Sequence, residues 1–289
     1  MFVILSSLLI ASRRSRFVDT TLVAPSRWAM FVLLVLGVVE LLPWFVTFNA
    51  STIRALHYVA ATASFCPLMA VLGAKRPQNI GWQFIVVSLW AIFLLPVGEM
   101  LVLWQDAVLD EGPARRWFVV ILLGVGLTNY TLTRFGFAAL LVTIGQALLL
   151  LPHLPFTTVD APWHFVAGNV VIALAVLAAF LQTRTVATYS GETAGGWDRV
   201  WQAFRDAFGM VWSLRVMERV NATGKLCNWK SELTWFGFAA SAESAEPTQE
   251  EIEERDRTMR TLLRRFVSPE WIELRKNESN PSDNNATSG

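Results

Sequence analysis

The chain lacks most of what soluble chemistry is built from. Of its 289 residues only 16% are charged, two are cysteine and three are histidine. Cys66 falls inside an apolar run and Cys227 far down the chain, and neither belongs to a CxxC, so a disulfide framework and a cysteine-held zinc site are excluded. No HExxH occurs, and the single Gly-Lys pair, Gly224-Lys225, is not preceded by a P-loop. No aspartate falls inside an apolar run, which excludes aspartyl intramembrane proteolysis. Ser64 stands two helical turns from His57, about 10 Å, too far for a serine–histidine pair. Only His57 lies deep within a run, His153 and His164 flanking the loop between the fifth and sixth, which argues against a bis-histidine haem as well. No cofactor is implied. A formal charge of +1 argues against a nucleic-acid partner, which would need a net basic face, and none is expected.

What is present is apolar. Hydrophobic residues make up 54% of the chain, with a mean hydropathy of +0.43, and they gather in six runs between Arg27 and Gln182. A run of about 20 apolar residues matches the hydrocarbon thickness of a bilayer. The expected fold is therefore all-α, a six-span transmembrane helical bundle with a helical, partly disordered cytoplasmic tail. The expected spans are 28–46, 52–73, 82–104, 117–131, 135–151 and 163–182, all inside a membrane domain at 27–183. Spans four and five are joined so tightly around Thr133, Arg134 and Gly136 that they form an antiparallel hairpin. Trp28, Trp44, Trp82, Trp104, Trp117 and Trp163 stand near span ends, where an interfacial aromatic belt places them.

Basic residues orient the bundle. Arg13, Arg14, Arg16, Arg27, Lys75, Arg76, Arg134 and Arg184 all fall on one side, which places both termini in the cytoplasm and the protein in the inner (plasma) membrane. Arg115 and Arg116 dissent, but they share a loop with Asp106, Asp110 and Glu111; Arg54 is a smaller exception. Residues 1–26 have their basic cluster after the apolar stretch, the reverse of a secretory signal, and that stretch is too short to span. They read as an interfacial or re-entrant segment, with a cleaved signal as the alternative. Ala60 and Ser64 in span two, and Ala175 and Ala179 in span six, have the spacing that lets helix backbones approach in lipid.

Counted inward at 1.5 Å per residue, Glu40, His57, Glu99, Gln146 and Asn169 all lie about 9 Å below the outer boundary, one in each span except the fourth. An ionised carboxylate at that depth is costly unless paired or protonated, so Glu40 and Glu99 are expected to face the bundle interior, with His57 as partner to either. Pro43, Pro96 and Gly98 lie at the same level and are expected to kink the helices. Two readings stay open: an outward-facing polar cavity for a cation, metal, proton or small polar ligand, and a set of interhelical hydrogen bonds with no further role.

Beyond a linker at 184–196, residues 197–240 form an amphipathic juxtamembrane region. Trp197, Val200, Trp201, Phe204, Phe208, Val211 and Trp212 share one side, and Arg199, Gln202, Arg205, Asp206 and Ser213 the other. Trp197, Trp201, Phe204, Phe208 and Trp212 thus suggest a helix lying in the membrane interface; the competing reading is a helix packed under the bundle as ordinary core. A cytoplasmic helical segment occupies 241–276. Thr248 and Glu251 have capping-box spacing, acidic residues lead and arginines close the helix, and Ser268-Pro269 starts another. The first of these helices reads as solvated, with self-association or a protein partner as the alternative. Residues 277–289 have a disordered composition.

The block Gly73-Ala-Lys-Arg-Pro-Gln78, followed by Trp82-Gln-Phe-Ile-Val-Val-Ser-Leu-Trp90, resembles one found in uncharacterised bacterial multi-pass membrane proteins. The resemblance implies no activity. The expected partners are the lipid bilayer and a protein, or a second copy, met by the tail. The chain reads as a structural or partner-recruiting membrane component, the alternative being a transporter or ligand-binding protein that uses the polar layer.

Overall fold

A computed structural model describes residues 19–103, 112–157, 163–183, 196–240 and 248–277. The expected N-terminal segment up to residue 18, most of the linker and the polar tail from 278 lie outside them. The described chain is mostly helical and divides into two compact units.

The first unit runs from 22 to 180, apart from residues 75–77. It contains α1 (Val23–Leu41), α2 (Ala50–Ala63), α3 (Cys66–Leu72), α4 (Asn79–Leu103), α5 (Gly112–Thr131), α6 (Gly136–Leu149) and most of α7 (Trp163–Gln182). Four stretches are long and apolar enough to cross a membrane: Val23–Trp44, Ala50–Leu72, Asn79–Met100 and Trp163–Gln182. The outer surface of the third is apolar too. Only 17% of the Asn79–Met100 window is buried, and Phe84, Ile92 and Leu95 point away from protein, a surface suited to lipid rather than water. The expected fourth and fifth spans do not reach this standard by length and composition. α5 carries Arg115 and Arg116, and α6 has only 14 residues.

Local chemistry explains the boundaries. The second apolar run is two helices because Pro67, in the first turn of α3, offers no N–H to a continuing helix. α1 gives way to a 3₁₀ turn at Leu42–Trp44, where Pro43 sits. Pro96 lies inside α4, which nevertheless continues to Leu103, so no helix ends at that proline. The α5–α6 turn requires Gly136, since a Cβ there would stand 2.5 Å from the Thr131 carbonyl oxygen. The two helices it joins pack closely on each other, as their short connection led one to expect. Trp28 donates to Gln83 at 2.8 Å and Trp82 to the Met69 carbonyl at 2.7 Å, pinning α4 to α1 and α3 around a core that includes Leu36, Tyr58, Phe65 and Val86.

The second unit combines the described residues from 181 to 277 with two short pieces, 19–21 and 75–77. α8 (Gly196–Leu226) is bent at Gly209, whose φ of 76° interrupts the helical backbone. A hairpin of β1 (Ser231–Leu233) and β2 (Phe238–Ala240) follows, antiparallel, with Glu232 opposite Ala239. α9 (Gln249–Leu263) begins at Thr248, whose side chain accepts from the Glu251 N–H, and α10 (Pro269–Lys276) at Ser268, which caps the Trp271 N–H. Both starts are where the capping residues led one to expect them. The Glu251 carboxylate, however, does not return to its cap. It accepts from the Lys230 N–H at 3.1 Å and from the Ser231 hydroxyl at 2.7 Å, holding the first strand. α9 is not solvated all round either: Met259 and Leu263 are fully buried against the core.

Candidate functional site

The polar layer is organised by α7. Phe165 and Asn169 are four residues apart and share one helix face. Asn169 Nδ2 donates to Glu40 Oε2 at 3.3 Å, while the His57 ring stacks on Phe165 with centroids 3.8 Å apart and planes 9° from parallel. Glu40 and His57 therefore meet successive turns of one helix, levels about 6 Å apart. α6 comes close enough to join them because of two glycines. A Cβ on Gly168 would lie 2.9 Å from the Gly145 carbonyl oxygen, and one on Gly145 3.1 Å from that of Gly168. Next to Gly145, Gln146 is buried and donates to the Ser64 carbonyl at 2.9 Å and to its hydroxyl at 3.2 Å, at the break between α2 and α3.

The layer is thus joined in part. Glu40, Asn169 and His57 converge on α7; Gln146 is committed to Ser64. Glu99, expected inside, is exposed on α4, because the face of that helix packed on the bundle carries Val86 and Phe93 instead. His57 was expected to pair with a carboxylate, and among the described residues its close partner is an aromatic ring. His164 sits buried in the first turn of α7 with Nδ1 3.1 Å from the Leu148 carbonyl, an interhelical tie. Among the described residues no three His, Cys, Asp or Glu side chains are placed to hold a metal ion. What the arrangement offers is a carboxylate and an imidazole set against successive turns of one helix, with the Asn169 side-chain carbonyl oxygen buried and, among the described residues, unpartnered. Phe165 was missed by sequence reasoning, although its spacing from Asn169 was a readable signal.

The aromatic stripe of the tail is core, not an interfacial surface. Trp201, Phe204 and Phe208 are fully buried, Trp197 and Trp212 nearly so. Their cover comes from within the second unit: the Phe266 ring meets Phe204, Phe208 and Trp212 edge-on, with centroids 5.2, 5.3 and 5.0 Å away. A face filled in this way has no apolar surface left for lipid, which corrects the interfacial-helix expectation: the stripe is core of the second unit itself. Asp206, assigned to the polar side, is buried as well and paired with Arg205 at 3.0 Å. Arg205 in turn donates to the Trp235 carbonyl at 2.9 Å.

Three segments are clasped by one carboxylate. Asp256 accepts from Arg260 at 2.6 Å, from Lys276 at 2.6 Å and from the Trp197 indole at 3.1 Å. Burial works to raise its pKa, but the hydrogen bonds from Arg260 and Lys276 outweigh it and hold the carboxyl down at about 2. Near the end of α8 the exposed Cys227 thiol donates to Glu254 at 3.2 Å, and that bond to a carboxylate raises the thiol pKa. No protein-family model matches the chain, and neither a curated protein nor a solved structure does.

Proposed function

We propose that the protein is a six-span membrane protein of the inner membrane with both termini in the cytoplasm, acting as a structural or partner-recruiting component through its folded carboxyl-terminal unit. One observation carries this reading. Residues 265–268 bind two distant pieces of chain: the Thr21 N–H donates to the Phe266 carbonyl, the Ser268 N–H to the Asp19 carbonyl and the Arg76 N–H to the Arg265 carbonyl, each at 2.8 Å. Asp19–Thr21 leads into α1, and Lys75–Pro77 follows α3. These bonds support a reading in which the start of the first apolar stretch, the end of the second and the carboxyl-terminal unit lie on one side of a bilayer. α5 and α6 do not alter this, because a tight helical hairpin crosses twice or not at all. The cytoplasmic assignment of that side is supported by Arg27, Lys75 and Arg76.

A transport or ligand-binding role for the polar layer is the second reading, and the Asn169 carbonyl oxygen beside Glu40, buried and unpartnered among the described residues, is what favours it. The two separate in an assay of the protein's own phenotype at matched expression. A Glu40→Gln, His57→Ala, Glu99→Gln triple variant is expected to keep the phenotype, and Phe266→Ala to lose it. Loss in the triple variant with Phe266→Ala active would reverse the assignment.

A further inference from the structure

Within the second unit a cleft of about 260 Å³ opens between the second half of α8 and the end of α9. Its rim collects cations from three separate parts of the chain: Lys75, Arg215 and Arg219 one turn apart on α8, and Arg265. Trp212 and Phe266 form part of its wall, and Glu218 is the one carboxylate among the lining residues, so the lining carries three net positive charges. Among the described residues none of the four cations forms an ion pair; Arg215 instead lies over the Trp212 ring, 5.3 Å from its centroid.

Like charges at i and i+4 on a helix repel, and here two further cations are added from outside it. Elsewhere in the same unit arginines are matched: Arg205 has Asp206, and Arg260 has Asp256 and Glu273. In the cleft four cations gather around a single lining carboxylate. A concave site with one sign of charge focuses the field on a counter-ion, and a guanidinium presents paired N–H groups that suit phosphate oxygens. The volume is below that of drug-sized pockets and suits a headgroup-sized anion.

We infer that this cleft binds a phosphate-bearing anion. Lys75 stands three residues beyond the last residue of α3, so the headgroup of an anionic phospholipid is one source of that phosphate; a soluble phosphate compound is the other. Only the lipid source rests on the membrane reading above. Binding would fasten Lys75, α8 and the α9 end to one another through their shared ligand.

The test uses the full chain. Hydrogen exchange across 212–219 and 262–266 is followed in nanodiscs of phosphatidylcholine alone, in nanodiscs containing phosphatidylglycerol, and in neutral detergent titrated with inorganic phosphate against chloride at equal ionic strength. Arg219 and Arg265 are exposed, so Arg219→Gln with Arg265→Gln leaves the fold intact, checked by an unchanged melting temperature in phosphatidylcholine. Protection by phosphatidylglycerol is expected, weakened about 30-fold in the double variant, from about fivefold per lost cation. It is expected to persist in Arg257→Gln with Arg264→Gln, which removes equal charge off the cleft. Protection by inorganic phosphate alone would also support the site and assign it to a soluble anion. Absence of protection from both sources, or equal loss in the two double variants, overturns the inference. A reversed topology leaves the detergent arm untouched, so the two failures are distinguishable.

Discussion

Replacing Phe266 by alanine removes the ring on which the second unit closes. Phe266 is 3% exposed and edges three aromatic rings of α8 at 5.0 to 5.3 Å. Truncating a buried phenylalanine costs about 3–5 kcal/mol, and edge-to-face partners are worth about 0.5–1.5 kcal/mol beyond their area, so the upper part of that range, about 4 kcal/mol, is expected here. Were α8 instead seated on lipid, Phe266 would matter little to it. The assay is amide hydrogen exchange across 200–212 in the full chain in phosphatidylcholine nanodiscs. A loss of about 4 kcal/mol in the opening free energy raises exchange about a thousandfold. Phe266→Leu, which keeps most of the apolar volume, should cost about 1–2 kcal/mol. Unchanged exchange in Phe266→Ala, together with protection that appears only when lipid is present, would refute the assignment of the aromatic stripe to protein core.

Three further expectations concern single contacts. Asp256 has a folded pKa of about 2 against an ordinary 3.8, so its stabilisation is complete above about pH 4 and lost as pH falls toward 2. Asp256→Asn should therefore lower the melting temperature at pH 6, by about 1–2 kcal/mol of stability, and converge with the unmodified protein near pH 2; a constant difference would contradict the clasp. Gly168→Val places a branched side chain where even a Cβ meets the Gly145 carbonyl oxygen at 2.9 Å, so α6 and α7 should separate and the detergent-solubilised protein should melt earlier. An unchanged melting temperature would contradict that close approach. Gln146→Leu should cost about 1 kcal/mol of bundle stability and Glu99→Gln nothing measurable, since the first breaks a buried bond to Ser64 and the second changes an exposed side chain; equal effects would contradict the placement.

Apolar runs bounded by Pro, Gly and charges were legible because length in a bilayer is a one-dimensional constraint, and the starts at Thr248 and Ser268 because capping is local chemistry. Helix rotation was not legible for the polar layer. Glu99 is exposed on its helix, whereas Gln146 turns inward to a carbonyl freed at a helix break. The block from Gly73 to Trp82 has a physical reading only in three dimensions. The Trp82 ring lies over Gly73, where a Cβ would come within 1.9 Å, and Lys75 and Arg76 join the other unit. The hairpin was invisible because side chains far along the chain hold its short strands. Asp198 accepts from the Phe238 N–H at 2.8 Å, and Asn221 accepts from the Leu233 N–H at 2.8 Å. Likewise an aromatic stripe announces burial without naming its cover, and Phe266 lies 54 positions beyond Trp212 in the chain.

The central claim, a folded carboxyl-terminal unit on the cytoplasmic side, is tested most directly by the native cysteines. Cys227 is exposed and Cys66 is buried, so a membrane-impermeant maleimide reports on Cys227 without any substitution. Its bond to Glu254 raises the thiol pKa, so labelling should be slow near neutrality and quicken in alkaline buffer. In that buffer, inverted membrane vesicles should label and intact spheroplasts should not. Labelling of spheroplasts, with inverted vesicles protected, would place the unit outside and contradict the account.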